Sequence, residues 1–251
     1  MIDLHKILES LDNQDDLTHG APAIPPSGRR GVVYLWGMEP SDGELLDRWR
    51  AGETASGEAL FERYYDMVER FFLNKVASGV QDLVQETFIR CVESRDRIRD
   101  DDRFRVYMFG IAYNVLSGHL RERYRGKRAI DFNEDSVHDL APGPGSVVAQ
   151  RREQRLLIEA LRNIPVDDQV LLELHYWEQL TTNQMAEVLG IPIGTARGRL
   201  QRARDRLEAV MQRLAESPQD LASTLGRLDD WAAECRERLD SQRAEQRANA
   251  G

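Results

Sequence analysis

The sequence predicts an all-α protein: two small helical domains joined by a flexible linker, with an extension at each end. Three observations predict it. Apolar residues recur at steps of three and four through most of residues 41–128 and 146–214, the spacing of helices that bury one face. Residues 180–207 hold two short helical patterns parted by Gly190 and Pro192, which suit the end of one helix and the start of the next. Polar stretches carrying Pro22, Pro25 and Pro26, and later Pro142 and Pro144, read as linkers. A chain with 31% charged and only 7% aromatic residues agrees with this class.

The stretch 180–207 organises the rest. In its first helix Met185, Ala186 and Leu189 share a face. In its second, Ile193, Ala196, Leu200, Ala203 and Leu207 form the expected apolar face. Opposite lie Thr195, Arg199, Arg202 and Arg206, flanked by Arg197 and Arg204. A supporting helix, a tight turn and a helix with outward arginines make the helix-turn-helix arrangement for the DNA major groove. The arginine fork pairs with a phosphate or with the acceptor edge of guanine. The competing reading is a helical hairpin with a solvated basic face.

Composition excludes several classes. The net charge of -9 argues against nucleic acid only as a total, because the basic residues cluster at 121–128 and 197–206. Cys91 and Cys235 lie far apart, without a second cysteine or a histidine at ligand spacing, which predicts a reduced, cytoplasmic chain with no metal site. No apolar run reaches membrane-spanning length, and the N-terminus lacks a signal-peptide core. No nucleotide loop or nucleophile arrangement supports an enzyme, and no cofactor is expected.

Residues 1–40 are expected to form a partly disordered extension. Residues 2–11 are a short amphipathic helix candidate, 13–31 a linker, and Val32, Val33, Tyr34, Leu35 and Trp36 an apolar patch of undecided use. Helices are expected at 41–49, 58–76, 80–93 and 103–125. Their inward residues include Leu60, Phe61, Tyr64 and Phe72, then Leu83, Phe88 and Cys91, then Phe104, Met108, Ile111 and Val115. The acidic segment 131–145 falls within a linker at 129–145. Helices at 146–163 and 167–177 follow, separated by Pro165, before the helix-turn-helix. After residue 214 a helical extension, 215–251, repeats Leu221, Leu225, Leu228, Ala232, Cys235 and Leu239 on one stripe. That face must be buried on something, and packing on the same chain is the default.

DLVQETFIRCVES at 82–94 and FRVYMFGIAYNVLSGHLRERYRGKR at 104–128 resemble region 2 of bacterial sigma factors. LRNIPVDDQVLLELHYWEQLTTNQMAEVLGIPIGTARGRLQRARDRL at 161–207 is similar to their region 4. The absence of other sigma regions between them resembles the extracytoplasmic-function (ECF) group, over about residues 41–214. The resemblance implies region 2 at 41–128, region 4 at 146–214, binding to the RNA polymerase core, and promoter recognition. Region 4 then reads the minus-thirty-five element through Thr195, Arg199 and Arg202, with Arg197, Arg204 and Arg206 mainly on phosphates. Region 2 reads and opens the minus-ten element through Phe109, Tyr113, Asn114, Ser117, His119, Arg121 and Arg123. Aromatic rings there can stack on unpaired bases; equally, Phe109 and Tyr113 can pack on a neighbouring helix. The implied partners are the clamp helices of the largest subunit, met by Asp82, Gln85 and Glu86, the polymerase flap, promoter DNA, and an anti-sigma factor or serine/threonine kinase. The alternative is a stand-alone helix-turn-helix regulator whose N-terminal half senses a signal or a partner.

One departure from the family pattern stands out. Where ECF factors usually carry Asp-Ala-Glu-Asp, this chain has Gly79, Val80, Gln81 and Asp82. Ser78 sits beside the missing acids, and a phosphate on it would add a charge of about -1.5 to -2. Some ECF factors lacking these acids are switched on by serine/threonine kinases, which makes Ser78 the candidate phosphorylation site. A second reading has Ser78 capping the next helix, with Gln81 completing a capping box.

Overall fold

The computed structural model describes residues 40–98, 103–125, 129–140 and 152–215. The expected N-terminal and C-terminal extensions, the stripe from Leu221 to Leu239 and Cys235 lie outside these residues. Among the described residues there are nine α-helices and no β-strand.

Helix α1 (Asp42–Arg50) begins where the sequence places it, because Ser41 and Glu44 cap it reciprocally. Helix α2 (Thr54–Leu73) starts earlier than residue 58, and Gly57 in its first turns lies under the Trp49 ring. Helix α3 (Val80–Ser94) leads through a 3-10 turn, Arg95–Arg97. Helix α4 (Phe104–Arg123) crosses behind these three. Their core is aromatic. Trp49 meets Phe61 edge-on at 5.2 Å between centroids, and Phe61 lies 4.6 Å from Phe88. Cys91 is wholly buried among them, and burial pushes its thiol far up.

The second half comprises α5 (Val137–Leu140), α6 (Arg152–Arg162), α7 (Val166–Tyr176), α8 (Thr182–Leu189) and α9 (Ile193–Leu214). Helices α6, α7 and α8 all pack on α9. The two halves also pack on each other, α4 lying along α8, so one apolar core runs through both.

Three expectations change. Residues 131–140 are not a solvated linker. Phe132, Val137 and Leu140 are buried, the Asp135 carboxylate accepts from the Asp131 amide at 2.9 Å, and the backbone pairs with the start of α7. Composition misled because the acids cap turns while the few apolar residues point inward. Ile193 is 44% exposed rather than on the buried face, since it is the first residue of α9 and precedes the packed turns. Helix α4 buries more than one face, because α2, α3 and α8 surround it. Val106, Phe109, Ala112, Leu116 and Leu120 therefore join Phe104, Met108 and Val115 in the core.

Candidate nucleic-acid interface

The helix-turn-helix is built from local signals. Thr181 caps α8 and Gln184 returns the bond to the Thr181 amide at 2.8 Å. Gly190 ends the helix at φ 65°, a left-handed conformation that glycine adopts without penalty. Pro192 then fixes the entry to α9. Ala196, Leu200, Ala203, Leu207 and Met211 are buried beneath α9.

The six candidate residues of α9 divide into two groups. Thr195, Arg197 and Arg202 are exposed. Arg199, Arg204 and Arg206 are engaged by α7: Arg199 Nη1 meets Asp167 Oδ2 at 2.8 Å, Arg206, itself still exposed, meets Asp168, and Arg204 Nη2 lies 2.8 Å from His175 Nε2. Arg204 also lies over the Tyr176 ring at 5.5 Å. Asp167 and Asp168 are both buried. Burial raises the Asp168 carboxyl above its ordinary range, opposed by the bond from Arg206. Gly198 leaves open space on the exposed side, where an added Cβ would meet only Arg202 Nη1, at 3.8 Å.

The region 2 candidates all lie on α4, from its second turn to its last residue. Asn114, Arg121 and Arg123 are exposed, and Arg121 stands 5.0 Å from the Phe132 ring centroid. Phe109 and Ser117 are buried, so in this structure neither offers a surface to a base. The packing alternative holds for Phe109, whose ring centroid is 6.0 Å from that of Phe71. Tyr113 is half-buried and donates its hydroxyl to Asp167 Oδ1 at 2.7 Å. Burial, then the Asp167 charge, raises its phenol and keeps it protonated. His119 is half-buried, and burial and Arg123 hold its imidazole below the ordinary histidine range.

At the start of α3, Asp82 is exposed and Gln85 and Glu86 are half-buried, with Glu86 bonded to Arg90 at 2.7 Å. Ser78 is exposed but does not cap the helix. The N-cap is Gly79, at φ 79°, with no side-chain cap. Gln81 completes no capping box; it donates to Glu69 at 2.6 Å and accepts from Tyr65 at 2.6 Å. With left-handed Gly79 at the N-cap, Ser78 stands one residue before the cap position.

Sequence reasoning missed the charged residues between the halves: Arg70, Lys75 and Arg105 on one side, Glu173 and Glu178 on the other. One signal was available, since Lys75 interrupts the apolar run FFLNKV. Among the described residues, no group of three or more His, Cys, Asp or Glu is placed to hold a metal, and no helix is long and apolar enough to cross a membrane.

A two-part helical chain with an outward basic face on a helix-turn-helix defines a class of DNA-binding factor. Comparison with known proteins specifies it. The family model for Sigma-70 region 2 matches residues 60–126, and that for Sigma-70, region 4 matches residues 154–207. The ECF RNA polymerase sigma-E factor of Haemophilus influenzae is 25% identical over 183 residues, covering 69% of this chain and 97% of that protein. The protein of the same name from Escherichia coli K12 is also 25% identical over 183 residues, covering 69% of this chain and 96% of its own length. Among solved structures, CnrH in complex with the cytosolic domain of CnrY shares the fold, with a TM-score of 0.52, 22% identity, and coverage of 69% of this chain and 99% of that one. Both sigma-70 regions are thus matched within this one chain, and over them it is similar to sigma factors of the ECF group.

Proposed function

We propose that this chain binds the RNA polymerase core and directs it to promoters carrying a minus-thirty-five and a minus-ten element. The observation that supports this most is the presence of both sigma regions in one chain, with Thr195, Arg197 and Arg202 turned outward on the second helix of the helix-turn-helix. Arginine forks on that helix read guanine edges or clamp phosphates. Asn114, His119, Arg121 and Arg123 meet the minus-ten region. Asp82, Gln85 and Glu86 on α3 face the clamp helices of the polymerase, region 4 meets the flap, and the chain works in the cytoplasm. An anti-sigma factor is a fitting regulator of such a chain.

Control by phosphorylation belongs to the same reading. Ser78 is exposed, and the amides of the first turn of α3 have no side-chain cap. A phosphate on Ser78 would bring negative charge beside that helix start and supply what Gly79 and Gln81 lack. A kinase acting there strengthens core binding.

The test is transcription by purified core polymerase and this chain on a promoter library, with unmodified protein, Ser78→Asp and Ser78→Ala compared for core affinity. Start sites at one shared pair of promoter elements support the sigma reading; none at all refutes it. Core binding by unmodified protein as tight as by Ser78→Asp refutes phospho-control alone.

A further inference from the structure

The two halves meet through charge. Arg70 on α2 and Arg105 on α4 both reach Glu178, in the turn after α7, at 2.7 and 3.1 Å, and Arg105 also donates to the Glu178 carbonyl. Lys75 donates to Glu173 on α7, and Arg162 on α6 donates to the Asn74 carbonyl at 3.1 Å. The Glu178 side chain is 6% exposed and that of Lys75 is 0% exposed. At the rim, exposed Arg103 meets Glu187 at 3.1 Å. In each of these ion pairs the cation lies on the N-terminal half and the carboxylate on the C-terminal half, while Arg162 donates the other way, to a backbone carbonyl.

Buried ion pairs stabilise less than apolar packing, because each charge loses its hydration, but they penalise mismatched partners heavily. A seam of this kind sets a specific arrangement that can reopen, since its charges regain water when the halves part. The closed arrangement also covers functional surface. Helix α4 lies along α8, and the Tyr113 hydroxyl is held by Asp167, which binds Arg199 of α9 with its other oxygen.

We propose that the free chain rests closed, latched by Glu178 on Arg70 and Arg105 and by Glu173 on Lys75. In that state the face of α4 carrying Tyr113 and Ser117 is withheld from single-stranded DNA, and opening the latch exposes it. The latch itself is independent of the promoter-factor reading; its effect on DNA rests on that reading.

The test is Förster transfer within the full chain. Dyes are placed on cysteines introduced at Asp47 and Glu208, both exposed, in a Cys235→Ser background. Buried Cys91 stays unlabelled. Neither DNA nor polymerase is present. Wild type should show high transfer. Glu178→Lys, which faces two arginines, should lower it sharply with helix content unchanged by circular dichroism. Where Glu178→Lys fails to fold, Glu178→Gln, which keeps the size and removes the charge, carries the same expectation. Adding Arg70→Glu and Arg105→Glu to Glu178→Lys should restore transfer. Unchanged transfer in the folded Glu178 variants overturns the latch. Single-stranded minus-ten oligonucleotide should bind the opened variant about ten-fold more tightly, within the usual range of coupling between sites. Reduced transfer without tighter binding upholds the latch and removes its link to DNA.

Discussion

Replacing Lys75 with methionine probes the most deeply buried charge in the seam. The ammonium has no exposed surface; it donates to the Phe71 carbonyl at 2.6 Å and to Glu173, and lies 4.2 Å from the Phe71 ring centroid. Burial pulls its pKa down, while Glu173 acts to hold the charge in place. Methionine preserves length and most of the volume, so the main loss is the charge. Breaking a buried pair from one side costs about 3–5 kcal/mol. Glu173 keeps the bond from Gln169 at 2.8 Å and its side chain is 14% exposed, which places this site at the low end, about 3 kcal/mol. With a urea slope of about 2 kcal/mol per molar, the midpoint should fall by about 1.5 M. Adding Glu173→Gln removes the stranded carboxylate and should recover about 1–2 kcal/mol. Urea unfolding followed by far-UV circular dichroism measures all three variants. A cost for Lys75→Met below about 1 kcal/mol, or a double variant whose loss is the sum of the two single losses, would refute the coupling.

Gly57→Ala should destabilise by about 1 kcal/mol, because overpacking at about 1–3 kcal/mol outweighs a helix-propensity gain of about 1 kcal/mol. The new Cβ would lie 2.7 Å from the buried Trp49 ring, whereas at Gly118 nothing lies within 4 Å, so Gly118→Ala should stabilise in the same thermal melts. His119 has a folded pKa below its unfolded value, so the unfolded chain takes up the proton first as pH falls. Stability from this group is therefore present above pH about 6.5 and is lost as pH falls below it. His119→Gln should flatten that part of the urea-midpoint profile. Arg202→Ala should cost about 1–3 kcal/mol at its base or phosphate in promoter binding by the polymerase-bound chain. Full-strength binding by Arg202→Ala would remove it from the reading face.

The fold was legible wherever the reason for an element is local. Left-handed Gly190 and Pro192 mark helix ends in the sequence and in the structure, and the Ser41 cap starts α1 where a helix is expected. The candidate interface was legible in part. Arg197 and Arg202 face outward as spacing alone suggests, but Arg199, Arg204 and Arg206 are taken by Asp167, His175 and Asp168. Periodicity tells which side of a helix is apolar, not which partner waits on the polar side. Phe109 illustrates the limit within α4, a helix with neighbours on several sides and no single stripe. Ser78 illustrates another: serine followed by Gln81 matches a capping box, but Gly79 at positive φ places the helix start one residue later. The seam between the halves was illegible because its pairs join residues 73 to 108 positions apart.

The central claim is that this chain recognises promoters as a subunit of RNA polymerase and not alone. Fluorescence anisotropy of the full chain on a selected promoter duplex, with and without purified core, tests it most directly. The account predicts tight, sequence-specific binding only when core is present, lost in Thr195→Ala with Arg197→Ala and Arg202→Ala. Equally tight binding without core, with two copies of the chain on a two-fold symmetric site, would contradict it and favour a stand-alone regulator.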